Sequence, residues 1–141
     1  MSELLGGLQD RTFARATAAT AISYPPERRL SAAQLASYLD RRAFAVVGST
    51  RADGRPHAAM SVFVRRGTTF WLPTMAGSVR ERNLRGTPWL TMVIAEGPAE
   101  VVAPPEVPAD VRAPATADWV SAWICLTAER LLSYADESAL P

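Results

Sequence analysis

Between residues 43 and 127 short apolar runs alternate with turn signals, and this spacing limits the fold more than any other feature. The runs lie at 43–49, 57–64, 68–72, 89–95, 99–103 and 119–127. None reaches the roughly ten to twelve residues of a packed helix, so they read as strands. Asp53-Gly54 is a hairpin signal, because glycine supplies the positive φ a tight turn needs; 43–49 and 57–64 therefore pair antiparallel. Arg65-Arg66-Gly67 makes the next turn, and Glu96-Gly97-Pro98 the one between 89–95 and 99–103. The proline-rich stretch 104–118 reads as an irregular excursion, and 130–134 continues the last strand. The chain is mainly β, with about six antiparallel strands.

Two helices interrupt this pattern. Ser31 followed by Gln34 is a capping box, and Ala32, Leu35, Ala36 and Leu39 recur at helical spacing, which predicts a helix over 31–41. Ser78 followed by Glu81 repeats the signature, and Gly86 and Pro88 end a short helix inserted between the third and fourth strands. Residues 1–30 are weakly patterned. They read as an N-terminal arm with one short helix in the Ala/Thr-rich part before Tyr24-Pro25-Pro26, its order resting on a partner surface.

Several strands are apolar on both faces. Met60, Val62 and Val64 share one side of their strand, Ala59 and Phe63 the other; Trp89, Leu90, Met92, Val93 and Ile94 show the same two-sidedness. One face fills the interior of an antiparallel barrel, and an apolar outer face needs a cover. A second copy of the chain, in a C2 homodimer, is the simplest.

Composition excludes several chemistries. The net charge of +1 over 141 residues gives no electrostatic case for nucleic acid or an anionic membrane. All 15 basic residues are arginine, so a lysine Schiff base is excluded and any phosphate site must use Arg. With one cysteine, Cys125, and one histidine, His57, neither an intrachain disulfide nor a zinc centre is expected. A Cys125–His57 nucleophile pair stays open beside the commoner reading of a structural cysteine. No signal peptide or long apolar run is present, and a cytoplasmic location is expected.

The charge at the inserted helix is unusual. Arg80 and Arg82 lie near its start, where the helix dipole disfavours cations by roughly 0.3–1 kcal/mol each, while the free N–H groups there attract anions. Either an anion lies between these arginines and the amides, or the helix is a solvated surface element.

The stretch Ala-Val-Val-Gly-Ser-Thr-Arg-Ala-Asp-Gly-Arg-Pro-His at 45–57, the segment from Ser78 to Leu84 followed by Pro88, and the close from Ile124 to Tyr134 together carry a resemblance. In order and spacing they resemble the pyridoxamine 5′-phosphate oxidase-like superfamily of flavin-binding split β-barrels. The resemblance implies a six-stranded Greek-key split barrel over 31–141, homodimeric, with two equivalent cofactor clefts at the interface. The cofactor it implies is FMN, or the deazaflavin coenzyme F-420 found in many actinobacterial relatives. Arg80 takes the position that grips the cofactor phosphate; Ser78 and Thr74 hydrogen-bond the same phosphate; Arg82 and Asn83 complete or brace the site. The ring is implied to lie near Ala59, Met60, Ser61 and Val62.

Arginine stands where this family commonly has lysine, the 104–118 connection is short, and the basic residues by which a true pyridoxamine phosphate oxidase grips its substrate have no counterpart, so vitamin B6 oxidation is not expected. The activity implied is hydride transfer between the reduced cofactor and a small conjugated organic substrate. The alternatives are a non-catalytic split-barrel carrier and, less favoured, a haem-binding relative with His57 as axial ligand. His57 otherwise reads as a turn residue or a donor to the ring edge. Trp71, Trp89, Trp119 and Trp123 read as packing residues, with Trp71 the candidate for stacking on a ring.

Overall fold

Asp53-Gly54 makes the first hairpin. Gly54 has φ 85°, and the Arg51 N–H donates to the Arg55 carbonyl at 2.8 Å, which closes the loop between β1 (Phe44–Thr50) and β2 (Pro56–Val62). The computed structural model describes residues 2–93, 95–113 and 117–133. Ile94 and Tyr134, both assigned to strands above, lie outside these.

The chain bends at Phe63. Its N–H donates to the Ala43 carbonyl at 3.2 Å, and its ring packs 5.8 Å from that of Phe70 in the core. A new strand, β3 (Val64–Arg66), then pairs with β4 (Thr69–Thr74) across Gly67, which has φ 61°. Arg65 and Arg66 were expected in the turn. They stay in the strand because the turn is only Gly67-Thr68, with Arg66 paired to Thr69 and Arg65 to Phe70. Their side chains then meet acids, Arg65 reaching Asp40 at 2.6 Å and Arg66 reaching Asp110 at 2.8 Å.

A second correction concerns Glu96-Gly97-Pro98. The turn falls earlier, at Val93, and β6 (Ala95–Val102) runs straight through these residues. Along one edge β6 pairs with β5 (Trp89–Met92). Along the other it meets β8 (Arg130–Leu131) at Ala95-Glu96 and β7 (Ala122–Thr127) from Ala99 onward. The connection from β7 to β8 crosses β6 at Gly97, where a Cβ would stand 2.1 Å from the Thr127 carbonyl oxygen. Only glycine admits that crossing.

The described residues thus form eight strands instead of six, because β3 and β8 are separate short elements. All pairings are antiparallel, in the order β2-β1-β5-β6-β7-β4-β3 with β8 on β6. Strands β2 and β3 are consecutive in sequence yet lie at opposite ends of that order. The sheet therefore curls into a half-barrel with an unpaired edge along β2. The architecture is the expected one, mainly antiparallel β with a few helices.

Helix α3 (Ala32–Asp40) starts at the expected capping box. The Ser31 N–H donates to Gln34 Oε1 at 2.7 Å, and the Gln34 N–H to Ser31 Oγ at 3.3 Å. The stretch before it holds two helices, α1 (Ser2–Ala14) and α2 (Ala18–Ser23). Leu5 and Leu8 of α1 enter the same core as Leu35, Leu39, Phe70 and Leu90. Gly6 lies so close to α3 that a methyl group there would come 2.8 Å from Ala32 Cβ.

Polar groups lock α1 to distant residues. Gln9 Nε2 donates to the Leu30 carbonyl at 2.8 Å, the Leu30 N–H donates to Ser133 Oγ at 2.9 Å, and the Ser133 hydroxyl donates to Gln9 Oε1. Ser133 is buried, so its removal orphans two partners. Ser133→Ala is expected to lower unfolding free energy by about 1–3 kcal/mol in chemical denaturation. A loss within measurement error would show that water replaces the hydroxyl.

The 104–118 excursion is short but ordered where described: a 3-10 turn at Pro104–Glu106, then α5 (Ala109–Arg112). Val107 and Val111 pack on Val102 and Trp123 as a second small core covering the outer face of β6 and β7. Among the described residues nothing covers the outer face of β1 and β2 in this way. Phe44, Val46, Met60 and Val93 are exposed there, with Val46 opposite Met60 and the Val93 N–H on the Val46 carbonyl. No helix among the described residues is long and apolar enough to cross a membrane.

Candidate functional site

The segment between β4 and α4 (Val79–Gly86) is built by local hydrogen bonds. Gly77 takes φ 78°, the Ser78 N–H donates to the Met75 carbonyl at 3.1 Å, and Ser78 Oγ caps the helix by accepting from the Glu81 N–H at 3.2 Å. The reciprocal half of the expected capping box is not made. The Glu81 carboxylate turns instead to Arg85, 3.3 Å away. Ser78 Oγ also lies 3.2 Å from Thr74 Oγ1, which places two hydroxyls side by side at the helix start.

Arg80 reaches from α4 to the unpaired edge of β2. It donates to Ser61 Oγ at 3.1 Å and to the Met60 carbonyl at 3.3 Å. No carboxylate among the described residues pairs with it. Burial lowers its pKa from the ordinary guanidinium range, which means that folding removes water from a cation without giving it an anion. Around it lies a cleft of about 330 Å³ lined by Thr74, Ser78, Met60, Ser61 and Val62, with Phe44, Pro73, Met75 and Trp119 as apolar walls. That volume is at the small end of ligand pockets. Arg80 is the only ionisable side chain among the lining residues.

The remaining expected site residues lie elsewhere. Asn83 is buried and donates from Nδ2 to Ser49 Oγ at 3.0 Å, bracing α4 against β1. Arg82 is exposed and lines a separate cleft of about 440 Å³ with Thr50, Arg51 and Asp53. Helical rotation explains the split: a residue two positions after Arg80 points about 200° away from it. Ala59 pairs with Val47 and His57 with Ser49 in the β1–β2 ladder; both are half-buried, and neither lines the Arg80 cleft.

Trp71, considered above for ring stacking, packs against the second core beside Val64 and Cys125, outside the cleft. Trp119 is there instead, on a turn before β7 and not in the strand. Apolar continuity from 119 to 127 hid that turn; the Val120 N–H bonded to the Ala117 carbonyl at 3.1 Å forms it. Cys125 lies in the register beside Trp71 and Glu100 and shares no ladder with His57. Burial, and then Glu100, push its thiol up and away from thiolate. No group of three or more metal-ligating side chains occurs among the described residues. A larger hollow of about 720 Å³ between α1 and β8 contains Arg11, Arg15 and Arg130, all exposed to solvent.

Comparison with solved structures shows the same fold. A conserved hypothetical protein from Mycobacterium tuberculosis is 21% identical with a TM-score of 0.68, the match covering 84% of this chain and 93% of that one. The haem storage protein HutZ from Vibrio cholerae is 13% identical at TM-score 0.59, covering 73% and 95%. An F420 reductase is 18% identical at TM-score 0.51, covering 65% and 90%. At these identities the likeness is one of fold. Comparison with curated protein sequences gives no match. The family model for pyridoxamine 5′-phosphate oxidase matches residues 31–135, which include Thr74, Ser78, Arg80 and the whole half-barrel. The chain therefore belongs to the pyridoxamine 5′-phosphate oxidase family of split β-barrels.

Proposed function

We propose that the chain is a flavin-dependent oxidoreductase that binds FMN or the deazaflavin coenzyme F-420 and acts on a small conjugated organic substrate. Arg80 carries the reading: a half-buried arginine with no acid partner among the described residues, beside two hydroxyls at a helix start, fits a phosphate. The unpaired edge of β2 next to it offers backbone donors and acceptors to the polar rim of a ring, and the apolar walls suit the ring's faces. The F420 reductase among the structural neighbours keeps the deazaflavin arm of the proposal beside FMN. His57, the chain's one histidine, is off the cleft, which favours a flavin over haem.

When bound and reduced, the cofactor supplies hydride. The protein's part is to hold a phosphate with Arg80, Ser78 and Thr74, to orient the ring along β2, and to exclude water with Met60, Met75 and Phe44. No carboxylate or imidazole among the described residues lines the cleft, so in this reading protons are exchanged with solvent. Residues 31–141 form the cofactor-binding unit in this reading, and residues 1–30 support it. The uncovered face of Phe44, Val46, Met60 and Val93 is the surface on which a second copy docks to complete the site.

The test is the ultraviolet–visible spectrum of freshly purified protein, with mass spectrometry of whatever heating releases, followed by titration with FMN and F-420. Flavin absorbance, or binding of either cofactor at about micromolar Kd or tighter, is expected. Colourless protein that binds neither sinks the proposal. Sedimentation is expected to show a dimer, and a stable monomer at micromolar concentration removes the interface.

A further inference from the structure

We infer that Trp119 stacks on the planar ring of the bound ligand, so that the cleft favours anions carrying an aromatic ring over ringless phosphates. This rests on the proposed cofactor site. The observation behind it is a tryptophan 49% exposed, on the same cleft as Arg80. Tryptophan buries more apolar area than any other side chain, and leaving half of it in water is unfavourable unless something covers it.

Its position is fixed by the segment that carries the hydroxyls. Just after Trp119, the Ser121 N–H donates to the Thr74 carbonyl at 3.1 Å, and Ser121 Oγ accepts from the Ala76 N–H at 2.7 Å. The turn bearing the indole is thus stapled twice to the 74–78 segment. The anion end and the aromatic wall are parts of one rigid unit. Met75 and Met60, both more than half exposed, line the same cleft and add polarisable surface for a flat ring. Arg80 binds the charge, and Trp119 reads the shape of what is attached to it.

The experiment measures FMN affinity by calorimetry, or F-420 affinity if the parent protein binds only that, with inorganic phosphate as competitor. Trp119→Ala is expected to weaken cofactor binding about 5- to 100-fold, the range of single aromatic stacks, and to leave competition by phosphate unchanged. Trp119→Phe, which keeps an aromatic face, is expected to stay within about threefold of the parent. Trp119 sits on an exposed turn, so melting temperatures close to the parent's should confirm that both variants fold.

Cofactor affinity unchanged in Trp119→Ala overturns the inference and leaves the cofactor site standing. Equal loss for cofactor and phosphate overturns it too, since the residue would then be shaping the whole segment. A change in self-association with cofactor affinity intact assigns Trp119 to an interface between copies. A parent protein that binds neither cofactor overturns both the inference and the reading beneath it.

Discussion

Gly97→Ala is expected to lower stability by at least about 3 kcal/mol, which is most of the margin of a small marginal domain. The added methyl would stand 2.1 Å from the Thr127 carbonyl oxygen, 3.0 Å from the Glu129 nitrogen and 3.1 Å from the Thr127 carbonyl carbon. All three are backbone atoms, so no side chain can rotate aside. Relief requires the β7–β8 connection to lift away from β6. That movement strains the Glu129 N–H bond to the Glu96 carbonyl, 2.9 Å long, and the pairing of β8 with Ala95 and Glu96. Thermal unfolding should show a fall of roughly 10 °C or more, or the protein should fail to accumulate in folded form. Gly54→Ala is the control. Its φ of 85° is unfavourable to alanine, but nothing lies near the new methyl, and a cost of about 1 kcal/mol is expected. If Gly97→Ala melts no lower than Gly54→Ala, the close crossing is not the determinant claimed.

Arg80→Ala is expected to weaken cofactor binding by about 1.5–3 kcal/mol, or about 10- to 150-fold, measured by titration with FMN or F-420. Two further readouts separate this from a general defect. Without cofactor the variant should be as stable as the parent or slightly more so, because it no longer buries a guanidinium that has no anionic partner among the described residues. Arg80→Lys should fall between the two, keeping a positive charge while losing the fork that reaches Ser61 and the Met60 carbonyl together. Unchanged affinity in Arg80→Ala removes the phosphate assignment. Because arginine stays protonated, Arg80 itself should impart no pH dependence near neutrality; weakening below about pH 6 is expected instead from protonation of the phosphate.

What the sequence disclosed follows from how local each signal is. Ser78 and Arg80 lie at one helix start, where capping and a cation against the dipole mark them. Thr74 entered only through the family resemblance, and Arg82, marked by the same local signal, turns into a separate cleft. Helix α3 and the Asp53-Gly54 hairpin were equally legible, each set by residues a few positions apart. Glu96-Gly97-Pro98 misled because Gly-Pro ordinarily ends a strand. Here the reason for the glycine is Thr127, thirty positions on, and nothing local to β6 indicates it. Helix α1 was obscure for a related reason. It has few apolar residues, and Gln9 and Thr12 secure it to partners far along the chain. Trp119 was absorbed into an apolar run, since the turn that frees it depends on Ser121 meeting Thr74 and Ala76.

The contact between α1 and the final strand also sets an order of assembly. Thr12 Oγ1 accepts from the buried Leu131 N–H, 119 residues later, and Gln9 waits on Ser133 in the same way. During synthesis α1 can pack on α3 as soon as both have emerged, with Gly6 against Ala32, Gln9 on the Leu30 carbonyl, and Leu5 and Leu8 beside Leu35 and Leu39. Its bonds to Leu131 and Ser133 wait for the last described residues. The helix pair is thus a local unit, and the strap across β8 is the long-range step that ties it to the half-barrel.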